Sequence, residues 1–102
     1  MLCPMILEQI KAVGNDTRML IMEWLKKPQA HFPPQDHGDP AIGVCVSHIQ
    51  AKASLSASTA SAHLAILQRA GLVQATRIGK WTYFRRDELA IDRFADRLKK
   101  EL

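Results

Sequence analysis

Two cysteines in 102 residues, Cys3 and Cys45, are too few for a disulfide framework and read as free thiols in a reducing compartment. Long apolar runs are also missing. None approaches the roughly 20 residues of a membrane span, and the N-terminus lacks the charged start and long apolar segment of a signal peptide. The expectation is a soluble, cytoplasmic protein. Acidic charge is outweighed, with 10 Asp and Glu against 14 Lys and Arg, for a formal +4 that favours an anionic partner. No set of nucleophile, base and oxyanion donors is recognisable, so an enzyme is not expected. What is present is ordinary globular composition, 47% apolar and 24% charged, at a length that suits one domain over residues 1–102.

Proline is concentrated rather than spread. Four of the five prolines fall between Pro28 and Gly43, together with two of the five glycines. This stretch, 28–43, reads as a loop, longer than most helix-to-helix connections. Before it, Met5–Val13 has helical spacing, with Ile6, Ile10 and Val13 on one side. Gly14-Asn15 interrupts it. Asn15 or Asp16 can cap a second helix running to about Lys27, with Leu20, Ile21, Trp24 and Leu25 as its apolar face.

After the loop, Val44-Cys45-Val46 is a short β-like run that suits an edge strand. Ser47 reads as the N-cap of a third helix to about Ala53, with Ile49 and Ala53 facing inward. Leu55-Ser56 makes a turn. Ser56 can cap the next helix, which ends before Gly71. At 100° per residue Ala60, Leu64, Leu67 and Ala70 form a core stripe. The opposite arc carries Ala57, Ser58, Ser61, Ala62, Ala65, Gln68 and Arg69. A face this slim, rich in hydroxyl and methyl groups, fits the major groove of DNA, which just admits a helix.

Val73–Arg77 alternates in strand fashion, Ile78-Gly79 is expected to turn the chain, and Trp81–Arg85 is β-prone. Arg77 and Lys80 flank the tip of the resulting hairpin. Helix, turn, slim helix and basic-tipped hairpin together make a winged helix-turn-helix, with the helix-turn-helix at 47–70 and the wing at 72–86. Asp87 then caps a last helix to Leu102, with Ile91, Phe94, Ala95, Leu98 and Leu102 along one side. The fold expected is mainly α, about five helices and a small β-hairpin wing. The terminal helices, 1–13 and 87–102, are expected to form a homodimer interface through Ile6, Ile10, Ile91, Phe94 and Leu98.

These segments resemble the ArsR-type (arsenic-repressor-like) winged-helix transcription regulators over nearly the whole chain. Residues 12–18, AVGNDTR, are similar to that family's ALGDPTR, and VCVSHI at 44–49 is similar to its ELCVCDL. LSASTASAHL at 55–64 resembles its LSQSTVSHHL recognition helix, and QRAGLV at 68–73 and RIGKWTY at 77–83 resemble its wing and the approach to it. The resemblance implies a homodimeric repressor that occludes a promoter and is released by an effector. On the helix faces, Ser58, Ser61 and Ala62 are expected at base edges and Thr59, His63 and Arg69 at base edges or phosphates. His63 lies towards the buried flank, so it reads as a structural or phosphate-contacting residue before a base reader. Arg77 and Lys80 fall on the backbone of double-stranded DNA, and Ser56 at the cap beside it.

Departures from the family pattern bear on sensing. The family's thiolate metal site needs both cysteines of CVC, and the second position here is Ser47. The last helix has no His, which removes the family's other metal site. Cys45 reads first as a buried small apolar residue. The sharper alternative is a sensor made of Cys3, Cys45 and His48, with Cys3 reaching across the dimer. His31, Asp36, His37 and Asp39 are loop polar groups before they are metal ligands. No cofactor is required, no metal site is assigned, and a metal or thiol-reactive effector has no complete donor set behind it. The loop 28–43 is an insertion relative to the family pattern. Ala57 and Ala62 stand where Gln and His are frequent, so readout is expected to use hydroxyls, methyls, water and DNA shape. Two other readings stay open: a sequence-tolerant, nucleoid-type DNA-binding protein, and a winged-helix protein-interaction module that no longer binds DNA.

Overall fold

The computed structural model describes residues 4–35 and 40–102. Ten residues, Pro4–Val13, form α1, and Gly14 closes it by donating its N–H to the Ile10 carbonyl at 2.9 Å. Helix α2 spans Asp16–Lys26 and is capped by Asn15, whose Oδ1 accepts from Arg18 N–H at 3.0 Å. Its core face is Ile21, Met22 and Leu25. Leu20, expected on that face, is 45% exposed, because the helix turns Met22 inward in its place and leaves Trp24 half-buried.

The proline-rich segment is not wholly irregular. Pro28–His31 is one turn of helix, α3, started by a proline whose missing N–H costs nothing there and closed by Phe32 N–H donating to the Pro28 carbonyl. A 3₁₀ turn at Pro40–Ile42 precedes strand β1, Val44–Cys45. Among the described residues, six α-helices therefore stand where about five were expected.

Helix α4 covers Val46–Ala53, and its N-cap is Cys45 rather than Ser47. Pairing with the sheet holds Cys45 extended, so the cap lies two residues earlier than expected and Ser47 is already inside the helix. Ser54 ends α4 at φ 55°, and Ser56 caps α5, Ala57–Arg69, its Oγ accepting from Thr59 N–H at 3.2 Å. A Schellman closure ends α5: Gly71, at φ 77°, donates to the Gln68 carbonyl and Leu72 donates to that of Leu67.

Strands β2 (Val73–Ile78) and β3 (Trp81–Arg86) form the wing, in register from Val73 opposite Arg86 to Ile78 opposite Trp81. The loop is thus Gly79-Lys80, and Ile78 belongs to the strand. Gly79 takes φ 59° at the first loop position, a place glycine fills without steric cost. β1 pairs antiparallel with β3, Val44 opposite Phe84 and Cys45 opposite Tyr83, for a sheet of order β1-β3-β2. Helix α6, Glu88–Glu101, is capped by Asp87, which accepts from Ala90 N–H at 3.0 Å and from the Gln74 side chain at 3.0 Å.

The core joins every layer: Ile6 and Ala12 of α1, Ile21 and Leu25 of α2, Ile49, Leu64 and Leu67 of the helix pair, Phe84 of β3 and Phe94 of α6. Helices α1 and α6 pack on each other within the protomer. Ile6 is 0% and Phe94 9% exposed, so both are spent on the protomer's own core. Ile10, Ile91 and Leu98 are only partly buried and keep surface to offer a second copy. Among the described residues, no helix is long and apolar enough to cross a membrane.

Candidate nucleic-acid interface

The interface is built on α5. Its inner stripe, Ala60, Leu64 and Leu67, is fully buried and anchors the helix, which leaves Ala57, Ser58, Thr59, Ser61, Ala62, Gln68 and Arg69 exposed along the outside. Three hydroxyls cluster at its first turn. Ser56 Oγ donates to Thr59 Oγ1 at 2.9 Å and lies 3.3 Å from Ser58 Oγ. Ser56 and Thr59 are thus engaged in capping, while Ser58 and Ser61 continue the exposed row.

His63 is half-buried at the edge of that face and touches a residue to which the sequence reading gave no role. The Arg18 Nη1 lies 3.1 Å from His63 Nδ1. A guanidinium only donates, so Nδ1 is the accepting nitrogen and the neutral ring carries its proton on Nε2. Arg18 also donates from Nε to the Ala12 carbonyl at 2.6 Å and from Nη2 to that of Lys11 at 3.3 Å. One side chain at the start of α2 therefore satisfies the open C-terminus of α1 and braces α5. Arg18 sat in a family-like segment, but nothing local revealed a partner 45 residues away.

Arg86 plays a similar part at the base of the wing. Its Nε and Nη2 hold Glu88 at 2.8 and 3.1 Å, and Nη1 donates to the Met22 carbonyl at 3.1 Å. That hydrogen-bonded guanidinium holds the Glu88 carboxyl below its usual range. At the tip, Arg77 and Lys80 are exposed. Arg77 Nε donates to the Gly79 carbonyl at 3.1 Å, and Lys80 Nζ sits 5.3 Å from the centre of the Trp81 ring.

Charge separates along the chain. Residues 40–86, which hold the helix-turn-helix and wing, contain Lys52, Arg69, Arg77, Lys80, Arg85 and Arg86 and no Asp or Glu. Residues 1–39 and 87–102 each carry four Lys or Arg against five Asp or Glu. The whole positive excess of the protein thus belongs to the segment bearing α5 and the wing.

The proposed sensor residues lie elsewhere. Cys45 is 6% exposed, accepts a hydrogen bond from Ser47 Oγ at 3.3 Å, and faces Tyr83 across the strands. Burial pushes the Tyr83 phenol up, and the nearby Cys45 adds to that direction. His48 Nδ1 is buried and has no hydrogen-bond partner among the described residues. His31 is half-buried at the end of α3, whereas Cys3, Asp36, His37 and Asp39 lie outside the described residues. Among the described residues, no group of three or more His, Cys, Asp or Glu gathers to hold a metal.

Comparison with known proteins agrees with this layout. Residues 44–75 match the model of the bacterial regulatory protein arsR family. An HTH-type transcriptional regulator of Bacillus subtilis strain 168, YbzH, is 52% identical over 97 residues, which cover 94% of this chain and 97% of the relative. The solution structure of a homodimeric winged helix-turn-helix DNA-binding domain from Mycobacterium bovis is 27% identical, covering 89% of this chain and 72% of that one, with a TM-score of 0.66. NolR from Sinorhizobium fredii shares the fold at 21% identity and a TM-score of 0.65, covering 98% of this chain and 93% of its own.

Proposed function

This chain belongs to the arsR family of bacterial regulatory proteins, and we propose that within it the protein is a homodimeric repressor that binds an inverted-repeat operator and is released by an effector. The observation that carries this reading is the charge segregation: six cations and no carboxylate between residues 40 and 86, around a helix whose outer face is slim and polar. Phosphates are polyanionic, so a segment without carboxylates meets them with little repulsion of its own. Helix α5 enters the major groove, with Ser58, Ser61 and Ala62 toward base edges, and Thr59, His63 and Arg69 reach bases or phosphates. His63, with Nδ1 taken by Arg18, presents Nε2–H as a donor. Arg77 and Lys80 at the wing tip meet the backbone.

Dimerisation uses the half-exposed Ile10, Ile91 and Leu98 along the α1–α6 face, and the homodimeric Mycobacterium bovis domain supports that assembly. The two copies of α5 would then lie about 34 Å apart, one turn of duplex. Small side chains on α5 favour hydroxyl, methyl and shape readout over bidentate base pairing by long side chains.

The test is selection of genomic fragments by the purified protein, followed by gel shifts across a salt series. The expected result is a shared inverted repeat with half-sites about one turn apart and an affinity that falls steeply with salt. Fragments without a common repeat, bound as tightly as random duplex, would point to the sequence-tolerant alternative. No binding at any salt would leave the protein-interaction module.

A further inference from the structure

The proline-rich segment does more than connect α2 to the sheet. Its described residues line a half-open cavity of about 260 Å³ against the entry to β1. We propose that this cavity binds a neutral aromatic molecule of one or two rings carrying one hydrogen-bonding group, and that its occupancy acts on the helix-turn-helix.

Three observations set the class of ligand. The walls are largely apolar ring faces, those of Pro28, Phe32, Pro33 and Pro34, which suit a flat hydrocarbon. Among the described lining residues the polar side chains are Gln29 and Gln35, and none is charged. The described walls offer an ion no opposite charge in exchange for lost hydration, which favours a neutral occupant. The size is intermediate: an apolar cavity of about 150 Å³ holds one benzene, and drug-sized sites start near 300 Å³. Rigid prolines make the site preformed, which lowers the ordering cost of binding.

The link to α4 is short. Gln35 clamps the opposite wall, its Oε1 accepting from Cys45 N–H at 2.6 Å and its Nε2 donating to the Gly43 carbonyl at 3.0 Å. Cys45 is the N-cap of α4. Phe32 provides a second route. Its ring meets Trp24 edge-on at 6.5 Å, and Trp24 lies under the Lys52 ammonium of α4, 5.3 Å from the ring centre. A ligand seated between Phe32 and Val44 therefore presses on both connections to the first helix of the helix-turn-helix. This regulatory half rests on the DNA-binding reading above; the ligand site does not.

Full-length, isotope-labelled protein would be titrated with indole, with benzoate as the charged control. The blocking variant is Gln29→Trp, which fills the cavity from an exposed position and leaves the core alone. The expected result is saturable shifts confined to Phe32, Gly43, Val44, Cys45 and the Gln35 side-chain amide. Binding should be about tenfold weaker or more with benzoate and in the variant. No saturation up to the solubility of indole, shifts centred elsewhere, or equal binding by benzoate or the variant each overturns the site. Saturating indole should then change affinity for the selected operator about threefold or more in the wild type but not in Gln29→Trp; site binding without that change overturns the regulatory half. Failure of the ligand-free protein to bind DNA would instead overturn the DNA reading, and the titration would still decide the site.

Discussion

Arg18 and His63 meet at 3.1 Å, so the start of α2 is hydrogen-bonded to the middle of the helix assigned to the DNA groove. The same guanidinium closes the C-terminus of α1, and α1 carries part of the face assigned to the dimer. In the proposed dimer the spacing of two copies of α5 would therefore depend on a side chain that need not touch DNA.

Arg18→Ala should lower unfolding stability by about 2 kcal/mol, since it removes charge-assisted bonds to two helix-terminal carbonyls and one ring. Urea denaturation measures this. Operator affinity should fall as well, even where the variant remains fully folded. Arg18→Lys should restore little of either, because one ammonium nitrogen cannot span acceptors that Nε, Nη1 and Nη2 reach from three positions.

At the wing the expectation is the reverse. Replacing Arg77 and Lys80 together by Ala should leave stability within about 0.5 kcal/mol, as both are exposed. Affinity should drop for all duplexes alike, and the slope of log affinity against log salt should become shallower by about one to two. An unchanged slope would remove the wing from the DNA interface.

Gly43 sits at φ 122°, and a Cβ there would lie 2.3 Å from the Phe84 carbonyl oxygen. Gly43→Ala combines backbone strain with a clash against the central strand. It should cost about 3 kcal/mol or more, read as a lowered denaturation midpoint. Gly71→Ala, with nothing near its Cβ, should cost only the strain of φ 77°.

Tyr83 is the chain's only tyrosine, so tyrosinate absorbance reports it alone. Its phenol is raised by burial and by Cys45. The unfolded chain then releases this proton at lower pH than the folded one. The resulting stability is complete below about pH 10 and is lost as pH rises toward the folded value. An absorbance titration of the folded protein should show a midpoint above that of free tyrosine. Tyr83→Phe should flatten the alkaline decline in stability.

Local chemistry determined much of this protein and was legible in the sequence. Asn15, Ser56 and Asp87 cap helices through their own near neighbours, and the glycines after α5 and at the wing tip stand where the chain needs positive φ. The apolar stripe of α5 follows from period alone. Boundaries moved where longer contacts competed: pairing of Cys45 with Tyr83 displaced the cap of α4 from Ser47, and the core took Met22 in place of Leu20. Likewise, the apolar positions of α1 and α6 were visible, but whether each faced the protomer's core or a second copy was not. Only the packing of the two helices decided that Ile6 and Phe94 point inward. The brace from Arg18 to His63, the tie from Arg86 to α2 and the clamp of Gln35 on β1 were decided by tertiary structure alone. Each joins residues far closer in space than their local pattern implies, and hydrogen bonding of that kind leaves no periodicity to read.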